Sequence, residues 1–203
     1  MLIDHAAAAR QNKQKHTLVA LVENKPGVLN RVASLFRRRN YNIDSLAVGT
    51  TDDPAVSRMT IVVDASKTSA ALVESNLYKL VNVIDVQDLT GVPAVAREMA
   101  LIKVRTADAQ QRGEIKQIAD MYKSDAVDVS KDSIILEVTG DETKIDAMLS
   151  VLSDYGIMEV VRTGRIAMVR GASRMAQEHE AAEVPVSGFD AATVSGNGKD
   201  RHT

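Results

Sequence analysis

ENKPGVLNRVAS, residues 23–34, follows the apolar run Leu18-Val19-Ala20-Leu21-Val22 and leads into apolar residues at helical spacing. It reads as a β-strand turning directly into an amphipathic helix, with Pro26 and Gly27 at the corner. Proline is tolerated in a first helical turn because its missing N–H has no intrahelical partner there. Glycine allows tight turning and close approach of a ligand to the backbone, and costs stability in mid-helix. The first amides of the helix then point outward from the positive end of its dipole. That geometry suits a carboxylate.

Outward from this corner, residues 17–90 read as strand, helix, strand, strand, helix, strand. The first strand is Thr17–Glu23. The helix is Val28–Arg39, with Val28, Leu29, Val32, Leu35 and Phe36 as its inward stripe. Arg37-Arg38-Arg39 close it, where cations suit the dipole, and Asn40-Tyr41-Asn42 turns the chain. Strands Ile43–Thr50 and Val56–Asp64 flank a hairpin turn at Thr51-Asp52-Asp53-Pro54. A helix over Thr68–Leu80 and a strand over Val81–Leu89 complete the unit. Gly91-Val92-Pro93 is a linker, and the order repeats. Strand Glu98–Thr106, helix Asp108–Tyr122, strands Ala126–Val129 and Ser133–Val138 and helix Asp141–Tyr155 lead to Val160–Val169, interrupted by Gly164. Thr139 and Glu142 are spaced as a capping box for the last helix, and Gly156 as its stop. Two βαββαβ units in series make an α+β chain of two tandem ferredoxin-like domains. The expected partition is a flexible arm over 1–15, domains over 16–91 and 97–171, and a disordered tail over 172–203, where small and polar residues run without period.

Composition excludes several classes of function. Of 203 residues, 45% are hydrophobic and 26% charged, as in a globular chain, and the net charge of −2 removes the electrostatic case for nucleic acid. Aromatics are 3%, with no Trp, so no stacking platform for bases is present. There is no Cys, hence no disulfide or thiolate chemistry. No apolar run approaches the roughly 18–20 residues of a membrane helix, and Ala6–Ala9 is too short for a signal sequence, so the expected location is the cytoplasm. Of the histidines, His5, His179 and His202 lie in terminal segments and His16 abuts the first strand, which leaves no core imidazole for acid–base work or metal binding. The acid pairs Asp52-Asp53 and Asp141-Glu142 sit in a turn and a helix start, where acids serve the backbone.

HTLVALVENKPGVLNRVASLFRRRNYNIDSLAVGTTDDPAVSRMTIVV, residues 16–63, resembles the amino-terminal ACT domain of the small regulatory subunits of acetolactate synthase (acetohydroxyacid synthase). The ENxxGVLxRV element alone marks an ACT domain. RRNYNIDSLAVG followed by TDDPxxSRMTIVV is more specific, and KLVNVIDVQDLT and REMALIKV extend the resemblance over residues 16–171. The resemblance implies a subunit that does no chemistry itself. It implies binding to a large catalytic subunit that carries thiamine diphosphate and Mg, with FAD as a further candidate, and none of these cofactors in this chain. That partner would be activated and made sensitive to valine or a related branched-chain amino acid (leucine, isoleucine). The effector would sit where two ACT domains of a homodimer meet, between Asn24, Gly27, Val28 and Leu29 of one protomer and Asn42 and Ile43 of the other.

Residue chemistry agrees with that assignment. Backbone amides around Gly27–Leu29 are donors for a carboxylate, the amides of Asn24 and Asn42 both donate and accept, and Val28, Leu29 and Ile43 can line an apolar slot. The bland alternatives are a helix cap for Asn24, a turn residue for Asn42 and core for Val28 and Leu29. Arg58 and the Asp52-Asp53-Pro54 turn are candidates for contact with the catalytic subunit. The competing functions are a free-standing ACT sensor acting on another enzyme, an enzyme on the same scaffold, and an RNA-binding module of the same topology.

Overall fold

The computed structural model describes residues 15–64, 66 and 68–172. The expected arm and tail therefore fall outside the described residues, apart from Lys15 and Ala172. Among the described residues eight strands and four helices alternate as two βαββαβ units, and a ninth strand follows. The first unit is β1 (Lys15–Glu23), α1 (Val28–Arg39), β2 (Ile43–Thr50), β3 (Val56–Asp64), α2 (Ala70–Leu77) and β4 (Val83–Asp88). The second is β5 (Ala94–Arg105), α3 (Ala109–Met121), β6 (Asp125–Val129), β7 (Ser133–Gly140), α4 (Glu142–Leu152) and β8 (Ile157–Arg162), followed by β9 (Ile166–Val169). Strand orders β2-β3-β1-β4 and β6-β7-β5-β8 are the same ferredoxin-like order, antiparallel throughout. Even the irregularities repeat: register shifts interrupt β2 on β3 and β6 on β7, and the pairing of each unit's first strand with its last.

Each unit buries one sheet face under its two helices. Leu18, Ala20 and Val22 of β1 meet Met59, Ile61 and Val63 of β3 and the α1 residues Val28, Val32, Leu35 and Phe36. In the second unit Ala100, Ile102 and Val104 meet Ile134, Leu136 and Val138 under Ile115, Ala119, Ile145, Met148 and Leu152. Alternation along the strands and 3.6-residue spacing along the helices put these side chains on facing surfaces. Leu29 departs from the expected stripe: it is 45% exposed, and only its neighbours at helical spacing face inward.

Helix ends differ from expectation in instructive ways. Pro26 precedes the cap of α1, and the cap is Gly27 itself, at φ 85° with no side-chain hydrogen bond. The capping box at Thr139 does not form. Asp141 caps α4 by accepting from the Lys144 N–H at 2.8 Å, because the strand β7 carries Thr139 into the sheet. Gly156, at φ 86°, ends a short 3-10 turn that follows α4. Asp108 caps α3 by accepting from the Gln111 N–H at 2.8 Å, and Ser69 caps α2.

The other face of the first sheet is covered by the second unit. β5 runs four residues further back than expected, to Ala94, and pairs there with β9. This two-stranded ribbon lays Ala167 on Val19 and Leu89, flanked by Ala94, Ala96 and Val169. β8 and β9 follow one edge of β5, and the break between them at Thr163-Gly164-Arg165 realises the expected interruption at Gly164. Ile61, fully buried in the centre of the first core, gives a direct check. Ile61→Ala removes packed methyl groups and should cost about 2–5 kcal/mol. Urea denaturation should show a lower midpoint for the unit that contains it, with little change in slope.

Candidate functional site

Local sequence builds the corner between β1 and α1. The Asn24 N–H donates to Ala55 O at 2.7 Å and its side-chain Nδ2 to Pro54 O at 2.8 Å, which ties the corner to the β2–β3 hairpin. Asn24 is therefore not the helix cap. Gly27 adopts the left-handed conformation that glycine tolerates best, and a Cβ built on it would meet no atom within 4 Å. The space in front of the first turn of α1 is open. Helix geometry leaves the first amides of that turn without intrahelical acceptors; the Val28 N–H donates back to Lys25 O at 3.3 Å, and a glycine cap has no side chain to serve those of Leu29 and Asn30. Val28 is buried and Leu29 exposed, so Leu29 is the apolar side chain that the corner presents outward.

Two residues absent from the sequence-based set complete the corner. Arg31 Nη1 donates to Asn82 Oδ1 at 2.6 Å, and Asn82 Nδ2 donates to the Glu23 carboxylate, which also receives Lys25 Nζ at 2.9 Å. Hydrogen bonds from Lys25 and then Asn82 hold the Glu23 carboxyl below its ordinary value. Asn82 could not be placed from sequence because it arrives from the β4 end of the unit. Arg31 carried a readable signal, lying one helical turn from Gly27.

Asn42 and Ile43 sit at the other end of α1, about 18 Å away by the rise of a 12-residue helix. Within one chain the structure does not bring the two sets together. Asn42 is held by the fold: its backbone carbonyl accepts from the Asp64 N–H at 3.2 Å and its Nδ2 donates to Asp44 Oδ1 at 2.6 Å. The left-handed residue of this turn is Asn40, at φ 55°. Tyr41 packs edge-on to Phe36 and meets Asn76 Nδ2 at 3.0 Å through its hydroxyl. Ile43 packs against the core.

Asn42 also borders an ionic cluster between the units. Lys15 Nζ lies 3.8 Å from Asp44 and 2.9 Å from Glu142, and Arg165 reaches Glu142 at 2.5 Å and Glu98 at 3.3 Å. Arg162 holds Glu98 at 2.7 Å and Asp146 at 2.6 Å. Burial pushes the Glu142 carboxyl up, and the Lys15 and Arg165 cations outweigh it, leaving the group below its ordinary value. Burial likewise lowers Arg162, and Asp146 and Glu98 outweigh it. Arg58, expected as a surface contact, instead donates to Ala167 O of the covering ribbon at 2.9 Å, and burial lowers its pKa. His16 Nε2 lies 3.3 Å from Thr68 O. Among the described residues no group of His, Cys, Asp or Glu is placed to hold a metal, and no helix is long and apolar enough to cross a membrane.

A βαββαβ unit with an open strand-turn-helix corner, followed by a second unit of the same topology, is the architecture of a tandem protein whose first unit is an ACT-type domain. The comparisons are specific about which kind. Residues 18–85 match the family model of the AHAS small subunit-like ACT domain, and residues 97–171 that of the small subunit of acetolactate synthase. The chain is similar to a protein of Archaeoglobus fulgidus described as a "probable acetolactate synthase small subunit", 51% identical over 157 residues, 77% of this chain and 98% of the other. It is 47% identical over 156 residues to the acetolactate synthase small subunit of Mycolicibacterium smegmatis, 77% and 91% of the two chains. The crystal structure of the acetolactate synthase small subunit from Thermotoga maritima superposes with a TM-score of 0.72 at 39% identity, over 79% of this chain and 99% of that one. The chain belongs to the family of acetolactate synthase small subunits.

The Glu142 pairing has a pH signature. A depressed carboxyl contributes stability that is fully present above its unfolded value, the ordinary 4.5, and is lost as pH falls through the lower folded value. Urea unfolding followed from neutral to acidic pH should show that loss below 4.5 in the wild-type chain. Glu142→Gln, which cannot titrate, should be less stable at neutral pH and show a smaller acid-side decline.

Proposed function

We propose that the chain is the non-catalytic regulatory subunit of an acetolactate synthase, raising the activity of the catalytic subunit and imposing feedback inhibition by valine or a related branched-chain amino acid. It pairs through its ACT domains as a homodimer. The condensation of 2-oxo acids, with thiamine diphosphate and Mg and with FAD as a further candidate, belongs to the catalytic partner, and the cytoplasm is the compartment that fits a chain without cysteine. Residues 16–91 form the effector-binding domain and residues 97–171 the second domain.

The observation that carries this reading is the open, left-handed Gly27 corner in a chain that spans almost the whole length of small subunits it resembles. The effector's carboxylate faces the first amides of α1, with Lys25 and Arg31 adding positive charge. Each of the two asparagines spends one side-chain N–H internally, Asn24 on Pro54 and Asn42 on Asp44. Each then presents its amide oxygen, an acceptor that suits an ammonium group. Leu29 and Ile43 line the slot, and Val28 supports it from the core. The separation of Gly27 and Asn42 within one chain favours a site closed by the partner protomer.

Asn42→Ala should keep stimulation of the catalytic subunit and need more valine for inhibition. Loss of hydrogen bonds to a charged group costs about 1.5–3 kcal/mol, roughly ten- to a hundredfold in affinity. Stimulation and sensitivity lost together would mark Asn42 as structural.

Gly27→Asp tests the corner itself. A like charge about 4 Å from the carboxylate costs about 4 kcal/mol at an effective dielectric of ~20, and half of that weakens binding about thirtyfold. Asp is among the few residues that visit the left-handed region, and a carboxylate suits a helix N-terminus, so the fold should survive. The assembled enzyme should be active and resist valine. Wild-type sensitivity in this variant would remove the effector from the corner.

A further inference from the structure

The strand leaving Asn42 and Ile43 is sewn to the second domain. Across β3, Ile43 faces Val63 and Ser45 faces Val62, so Asp44 is the extra residue of a bulge. Ile43 and Leu46 both pack against the core, and the bulge turns Asp44 and Ser45 together toward the other side, as bulges do when they re-aim side chains. That side faces the break between β8 and β9. Ser45 Oγ accepts from the Arg165 backbone N–H at 2.7 Å. Gly164 lies so close to β2 that a Cβ there would stand 2.6 Å from the Leu46 carbonyl carbon and 3.0 Å from the Ala47 nitrogen. Both obstacles are backbone, which cannot swing aside.

Charge continues the contact. Asp44, holding the Asn42 amide, lies beside Lys15, and Lys15 leads to Glu142 at the first turn of α4. Arg165 closes the circuit by pairing with Glu142 and Glu98. Every step from Asn42 to α4 is thus a hydrogen bond, an ion pair or a backbone contact.

We infer that the Thr163–Arg165 turn is the link through which an effector held at Asn42 acts on the second domain, with Gly164 and Ser45 as its positioning residues. The inference rests on the effector reading of the Gly27 corner. An ammonium group taking the Asn42 oxygen loads the same side chain that holds Asp44. A shift at the start of β2 reaches Leu46 and Ser45, and close-packed backbone transmits it rather than absorbing it. By linkage, the state of the second domain alters effector affinity by the same factor. Because Asn42 closes the corner of the partner protomer, each chain's second domain reports on the effector seated on the other chain.

Gly164→Ala and Ser45→Ala, each in the full chain assembled with its catalytic subunit, test the link. Valine binding is read by calorimetry and inhibition by the rate at saturating valine. Both variants should bind valine within about threefold of wild type, stimulate the catalytic subunit as wild type does, and lose more than half of the maximal inhibition. Ser45→Ala removes one acceptor without adding an atom, so it decides the matter if Gly164→Ala does not fold. Full inhibition in a folded Gly164→Ala, or in Ser45→Ala where the former is unfolded, overturns the link. So does joint loss of stimulation and inhibition, which would make the contact part of the activating structure. A wild-type chain that binds no branched-chain amino acid overturns the effector reading itself, and that failure is seen before any variant is made.

Discussion

The face of the first sheet opposite its two helices is closed by the second unit, and this contact organises the chain. In the first unit the cover is the ribbon of β5 and β9. Val19 lies fully buried beneath it, and Thr60 and Val62 on the neighbouring strand β3 are also withdrawn from water. The covering residues Ala94, Ala96 and Ala167 are small, so ribbon and sheet approach closely. Lengthening β5 to reach the first sheet forces the partner strand to follow it, and the one-residue slip between β8 and β9 is where the ribbon departs from its own sheet. Polar groups caught at the margin need partners, since burial without them is costly. Arg58, Glu98, Glu142, Arg162 and Arg165 find theirs there.

The fold class was legible because its signals are local. The apolar run of β1, the alternation in β3, the stripe of α1 and the interruptions at Gly91-Val92-Pro93 and Gly164 need only neighbouring residues to be read. The covering ribbon was not legible. Ala94 to Arg97 carry no strong strand pattern, and only pairing with β9 makes them extended. Caps went astray by short distances for the same reason. Thr139 satisfies the spacing of a capping box, yet strand pairing with Met99 holds it in β7, and the helix starts at Asp141.

Site residues divide along a similar line. Gly27 was legible as the turn glycine of the strand-helix corner, and its backbone is left-handed there. Leu29 was assigned by periodicity to the inward stripe as well as to the effector slot, and the helix turns it outward while Val28 takes the core side. Asn82 and the bulge at Asp44 depend on contacts between distant segments, which no spacing in the sequence encodes. Arg58 illustrates the opposite error: a cation on the open sheet face reads as a surface contact until the second unit is laid over it.

The two units share topology and bulges but start their first helices differently. α1 begins at a glycine with no side chain to serve its amides, whereas the carboxylate of Asp108 occupies the matching place on α3. An incoming carboxylate would have to displace that charge from its own helix and overcome its repulsion. On the effector reading of the Gly27 corner, a chain built from two copies of one fold therefore has a binding valency of one. The matching place on the second copy is kept filled by its own sequence.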